Sequence, residues 1–329
     1  MATISDIAKT TGVSISTVSR VLNSDETIKV SSATRAKILE AAEMLNYVKP
    51  LNRKETSKKI ILSHWYNQEL GLTDLYLASV RWGVETHLKS LGYQIVRNIF
   101  NEEDPNFEDA TGIIAIGGFD EVGIQKLKSP AIPLVIINQN TLKHGISCIT
   151  ADYDSPVKEI ITYFKEQGHQ KIGLIDGITP FKEGHVQQND PRATTFKYTM
   201  LENNELDESL IFTGDFSIES GYKAMQTAIK TLKDRLPSAF FVISDTMAIG
   251  ALRALKEANI KVPDEVSIIG FGDLEVGQYF SPSLSTVQLA KRQMGTLGAM
   301  TLQNIINGIQ TEPINIVTGT KLVIRESSN

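Results

Sequence analysis

The sequence predicts an all-α head joined to an α/β core of two doubly wound lobes. Three observations predict it. Apolar residues recur at helical spacing through residues 1–48. A polar, basic stretch follows at 49–59. From residue 60 to 329, short continuous apolar runs alternate with helical segments.

In the head, Ile4, Ile7 and Ala8 place an apolar stripe on one face of a short helix. Ser5 and Asp6 supply start-of-helix chemistry and Gly12 supplies the stop. Val13 turns inward, and Ser14 is placed to cap a second helix that begins near Ile15. There Val18, Val21 and Leu22 face inward, which leaves Ile15, Ser16, Ser19 and Arg20 on the open side. Residues 31–46 read as a third helix, with Ile38, Leu39, Ala42 and Leu45 inward. Two short helices joined by a tight glycine turn make a helix-turn-helix, whose second helix enters the DNA major groove. A plain helical hairpin fits the first two helices equally well; the third helix favours the DNA reader.

Charge distribution agrees. The net charge of −5 looks wrong for a DNA binder until it is divided. Residues 1–59 hold ten Lys or Arg against six Asp or Glu, a balance of +4, which leaves −9 on the rest. A basic head on an acidic body is expected when only the head meets phosphate.

Three runs in the head carry a resemblance: Ile-Ser-Asp-Ile-Ala with Gly-Val-Ser, Ser-Thr-Val-Ser-Arg-Val-Leu-Asn at 16–23, and Glu-Met-Leu-Asn-Tyr at 43–47. Dense and in order, they resemble the DNA-binding head of the lac repressor family. The resemblance implies that Ile15, Ser16 and Arg20 reach base edges, while Thr17 and Ser19 contact phosphates. Arg20 is the strongest base reader on chemistry alone, because a guanidinium pairs bidentately with guanine O6 and N7. Ile15 offers only apolar contact, for instance with a thymine methyl. In the family the linker commonly forms a hinge helix with an Ala-Arg-x-Leu pattern, whose leucine wedges into the minor groove. That pattern is absent here, and Leu51 is the sole candidate wedge.

The predicted core strands are 60–66, 93–100, 113–116, 134–137, 148–149, 171–175, 210–213, 239–243, 266–271 and 321–324. Helices are expected at 75–91, 122–127, 156–167, 192–203, 217–232, 248–258 and 290–309. Continuous apolar strands alternating with helices argue for parallel sheets covered on both faces. There are too many for one comfortable sheet, so two α/β lobes are expected, with ligand outside the carboxyl ends of their strands. The whole stretch resembles the periplasmic-binding-protein-like core of the same family. That fold implies one lobe from about 60–152 and 288–318, a second from about 153–287 and 319–329, and crossings near 153, 287 and 318.

A sugar site needs planar hydrogen-bonding groups and a flat apolar face. Arg192, in Asp-Pro-Arg-Ala-Thr-Thr-Phe, matches the arginine that grips sugar hydroxyls in the family. Asn138 matches a position often occupied by a sugar-bound aspartate, and Phe216 matches an aromatic that stacks on the ring. Asp245 and Asp273 lie at strand ends, where ligands bind, although each could instead cap a helix. Ser244 stands where many relatives carry a ligand-binding asparagine. Near Asp273 the family usually has two aspartates, the first on the ligand; here the first is Gly272. Trp65, Tyr66 and Gln68 follow the first strand, at the mouth of the lobe nearest the head.

Other classes fare worse. The five histidines lack metal-ligand spacing, and neither a Gly-x-Ser-x-Gly elbow nor a Walker loop occurs, so neither an enzyme nor a cofactor is expected. Cys148 is the lone cysteine, which fits packing in a strand and a reducing cytoplasm. No secretory signal and no apolar run of about eighteen residues is seen, so no membrane role is expected. The resemblance implies a homodimer on a pseudo-palindromic operator, with a small sugar setting DNA affinity. Runs 65–70, 77–86 and 244–254 are most similar to galactose-operon repressors and the evolved β-galactosidase repressor, which implies a galactoside effector. The competing expectation is a pleiotropic catabolite regulator that uses a phosphocarrier protein as corepressor.

Overall fold

A computed structural model describes residues 3–22, 28, 30–45, 47, 58–64, 73–100, 106–178 and 190–328. Leu51, Trp65, Tyr66 and Gln68 lie outside the described residues. The chain forms two compact units, Met1–Thr56 and Ser57–Asn329.

The first unit is helical: α1 Ile4–Thr11, α2 Ile15–Leu22 and α3 Ser32–Met44. Thr3, rather than Ser5, caps α1; its hydroxyl accepts from the Asp6 amide while the Asp6 carboxylate accepts from the Thr3 amide. This reciprocal box pairs the cap with the residue three positions on, and with Asp6 in that place the cap is Thr3, two residues before Ser5. Gly12 ends α1 at φ 69°, a left-handed conformation that glycine adopts without strain. Ile7, Ala8, Val18, Val21, Ile38 and Ala41 form the core of the unit. Leu39, expected inward, is 48% exposed. The buried stripe runs through Ile38 and Ala41 with Ala42 and Leu45 beside it, and Leu39 sits about 100° off that line.

The second unit begins with β1 Lys59–His64, α4 Thr73–Ser90, β2 Gln94–Ile99, β3 Ala110–Ile116, α5 Glu121–Lys128, β4 Leu134–Ile137 and β5 Ser147–Ala151. It continues with α6 Asp154–Glu166, β6 Ile172–Gly177, α7 Pro191–Glu202, β7 Ile211–Gly214, α8 Ile218–Leu232, β8 Ala239–Val242, α9 Asp245–Glu257 and β9 Ser267–Ile269. Last come β10 Thr286–Leu289, α10 Lys291–Ile306, β11 Asn315–Thr318 and β12 Thr320–Val323.

These strands make a six-stranded parallel sheet, β11-β5-β4-β3-β1-β2, and a four-stranded parallel sheet, β7-β6-β8-β9. A separate antiparallel pair, β10 with β12, carries two of the three passages between them. The first passage is at 152–153, between β5 and α6. Central strands such as β4, β5, β6 and β8 are buried along their whole length, as sheets covered on both faces require. Strands β10 and β11 were not among the expected strands. Both are short and part polar, and their pairing partners are distant in sequence.

Two helix pairs approach until backbones touch. A Cβ on Gly83 or Gly295 would stand 2.0 Å or 1.9 Å from a backbone oxygen of the partner helix, so α4 and α10 pack without spacing side chains. Gly221 and Gly250 do the same for α8 and α9. These contacts fix the helices that cover each sheet and so fix the strand ends between them.

Candidate functional site

The open face of α2 is the first site. Ser14 caps the helix, its hydroxyl accepting from the Thr17 amide at 3.2 Å and bonding the Thr17 hydroxyl at 2.8 Å. Val18 and Val21 turn into the core, which turns Ile15, Ser16 and Arg20 outward. Ile15 is 56% exposed, too much for a residue whose role is packing. Thr17 and Ser19 are half-buried along the flank of the same face. An exposed cationic and apolar face on a short capped helix is what a major groove accommodates.

The second site lies between the strand ends of the two sheets. Asp190 caps α7, Pro191 supplies its first turn with a preset φ, and Arg192 follows. Asp190 Oδ1 accepts from the Arg192 amide at 2.9 Å and from Nε at 2.8 Å, while Oδ2 accepts from Nη2 at 2.6 Å. Nη1 donates to the Ile243 carbonyl at 2.6 Å, across from the end of β8. Burial opposes the charge on Arg192, but attraction to Asp190 and the bonds it accepts outweigh it, so the guanidinium pKa is raised. The rings of Phe271, Tyr153 and Phe216 surround it, with centroids 5.1, 5.8 and 6.0 Å from Cζ.

From the opposite side, the Tyr76 hydroxyl on α4 donates to Asn138 Oδ1 at 2.8 Å. Tyr76 and Tyr153 also share a hydrogen bond. Burial raises both phenols above their ordinary pKa, Tyr76 well above it, and so keeps them neutral. Asn138, Arg192 and Phe216 are therefore brought together, as expected, and Tyr76, Tyr153, Asp190 and Phe271 join them unforeseen. Asn138 and Phe216 hold positive φ, 82° and 67°. Neither is glycine, so each stores backbone strain of about 1–3 kcal/mol of the kind that concentrates at ligand sites. Phe216 lies on Gly177, where a Cβ would stand 2.5 Å from its ring.

Asp245 and Asp273 do not share this cluster. Asp245 is 1% exposed, its oxygens taken by Thr286 and the Leu274 amide, so it is neither a helix cap nor an open ligand group. Ser244 performs the capping, accepting from the Met247 amide at 3.2 Å. The Asp273 carboxylate accepts from Arg325 at 2.7 Å and Gln288 at 2.9 Å. The strand-end rule located both aspartates along the chain, but their carboxylates are taken up by Thr286, Leu274, Arg325 and Gln288. Of the missed residues, only Asp190 left a signal, an Asp-Pro pair at the start of a helix.

Residues 3–49 match the family described as bacterial regulatory proteins, lacI family, and residues 161–328 match the periplasmic binding protein-like domain. The HTH-type transcriptional regulator GalR of Lacticaseibacillus casei is 38% identical over 100% of both chains. The chain belongs to the lacI family of bacterial regulatory proteins. GanR of Bacillus subtilis, also an HTH-type transcriptional regulator, is 34% identical over 100% of both chains. Among solved structures, a transcriptional regulator CelR–cellobiose complex superposes with a TM-score of 0.70 at 25% identity, covering 99% of this chain and 100% of that one. This lacI-family member is thus a DNA-binding transcriptional regulator with a helical head and an α/β core of periplasmic-binding type.

Proposed function

We propose that the regulator represses a galactose or galactoside utilisation operon, with DNA affinity set by a small sugar bound between its lobes. The observation that carries the sugar site is the Arg192 cluster. One fixed guanidinium, two neutral phenols and an amide meet three aromatic rings, which matches the hydroxyl edges and C–H faces of a pyranose. Arg192 and Asn138 bond the hydroxyls and Phe216 stacks on the ring, while Tyr76, its one hydroxyl proton given to Asn138, and Tyr153 beside it orient that amide. Trp65, Tyr66 and Gln68, outside the described residues, are candidate ligand contacts from their sequence position after β1 alone.

On this reading residues 1–48 are the DNA-binding head, 49–59 the hinge linker and 60–329 the sugar-binding and dimerisation core. Ile15, Ser16 and Arg20 read bases, Thr17 and Ser19 grip phosphates, and Leu51 is the wedge if the linker enters the minor groove. The regulator acts as a homodimer on double-stranded operator DNA in the cytoplasm, and it does no chemistry on its ligand. A sugar shifts the equilibrium only by binding the two lobe arrangements with different affinity. Calorimetric titration with galactose, lactose and glucose tests this. Galactoside binding that Arg192→Ala abolishes and Tyr76→Phe weakens is expected; equal heats in wild type and Arg192→Ala would overturn the site.

A further inference from the structure

Asp245 opens α9, and its carboxylate is buried. Oδ1 accepts from the Thr286 hydroxyl on β10 at 2.5 Å, and Oδ2 accepts from the Leu274 amide at 2.6 Å. Among the described residues no cation stands within ion-pair distance of it. The charged groups that face it are Lys291, at the start of α10, and Asp273. Lys291 is committed to the same loop, donating to the carbonyls of Gly272 at 2.6 Å and Asp273 at 2.7 Å, with Glu275 nearby. Asp273 is held by Arg325 and Gln288, and its amide donates to Thr286 at 3.2 Å.

The participants come from α9, the loop after β9, β10, the first turn of α10 and the tail after β12. All but α9, which joins β8 to β9 within one sheet, belong to the stretches through which the chain passes between its two sheets. Loop 270–274 is drawn against the carboxylate: a Cβ on Gly270 would lie 2.4 Å from Asp245 Oδ1, and Gly272 and Asp273 both hold positive φ. Backbone bonds from Gly270 to Ser285 at 2.8 Å and from Gly272 to Val287 at 2.9 Å seat the start of the loop beside β10, and the buried carboxylate holds its last residue through the Leu274 amide.

We propose that Asp245 is a proton-operated latch at the passages between the lobes: ionised, it ties the end of loop 270–274, at the Leu274 amide, to Thr286 on β10, and protonated, it lets go of that amide. Burial pushes its carboxyl up to about 6, against the bonds from Thr286 and Leu274, so the charge changes near physiological pH. A lobe arrangement that parts Thr286 or Lys291 from Asp245 alters its proton affinity, and protons then bias that arrangement in return. Its consequence for the sugar response rests on the function proposed above; the latch itself does not.

Hydrogen–deuterium exchange of the full chain, corrected for intrinsic rates and followed from about pH 5 to about pH 7.5, reads the latch directly. Protection at Leu274 falls several-fold below about pH 6 in wild type and stays flat in Asp245→Asn. Thr286→Val, which removes one bond to the charged form, moves the step to higher pH. Flat protection in wild type, or the same step in Asp245→Asn, overturns the latch. Galactose-driven release from DNA should shift several-fold across the same pH range in wild type only. An exchange step without any galactose response supports the latch and overturns the sugar reading alone.

Discussion

Removing the Asp190 carboxylate probes how the Arg192 cluster is held. In Asp190→Ala the Arg192 guanidinium loses both ends of a bidentate pair and keeps only the Ile243 carbonyl and three ring faces. Stripping the partner from a buried charge costs about 3–5 kcal/mol. Here the Arg192 side chain retains 16% exposure and one strong acceptor, which brings the expected loss to about 2–3 kcal/mol. Loss of the α7 cap adds about 1 kcal/mol. Asp190→Asn keeps an acceptor for the Arg192 amide and the cap, so its loss should be about 1–2 kcal/mol. Urea unfolding followed by circular dichroism measures both. In the double variant Asp190→Asn with Arg192→Met, the losses should fall short of the sum of the singles, because each single strands the other's partner. An Asp190→Ala variant within about 0.5 kcal/mol of wild type would refute the buried pair as the organiser of the site.

Three further outcomes follow from the same structure. Arg20→Ala should lower operator affinity by about 1–3 kcal/mol in anisotropy titrations while galactose binding is unchanged; undiminished operator affinity would sink the base-reading assignment. Gly250→Ala places a Cβ 2.0 Å from the Ile218 carbonyl oxygen, so α8 and α9 must part, and thermal unfolding should show a loss of about 3 kcal/mol. For Asp245 the folded carboxyl sits at about 6 against an ordinary 3.8, so the folded state binds the proton more tightly. Stability relative to Asp245→Asn is therefore full below about pH 4 and falls as pH rises to about 6, by about 3 kcal/mol in all; a difference that grows with pH would contradict it.

The head was the most legible part of the chain because its logic is local. The 3.6-residue spacing, Gly12 and the Ser14 cap each act within a few residues. Even there, Thr3 caps α1 two residues before Ser5, and Leu39, one residue from the buried Ile38, turns outward. The central strands were legible because burial on both faces leaves continuous apolar runs. Strands β10 and β11 were not: β10 reads Thr-Val-Gln-Leu, and β11 is an edge strand with Val317 55% exposed. At the Arg192 cluster, Arg192 and Phe216 carried recognisable surroundings, whereas Tyr76 and Tyr153 meet only because a helix and a passage converge. Asp245 shows the opposite limit, since position along a strand end says nothing about which way a carboxylate faces.

Fluorescence anisotropy of the purified regulator on palindromic DNA from upstream of its own gene, with and without galactose, lactose and glucose, tests the central claim most directly. Tight, salt-sensitive binding that a galactoside releases is the predicted result. Binding that no sugar changes would contradict the account and move the search to a protein corepressor.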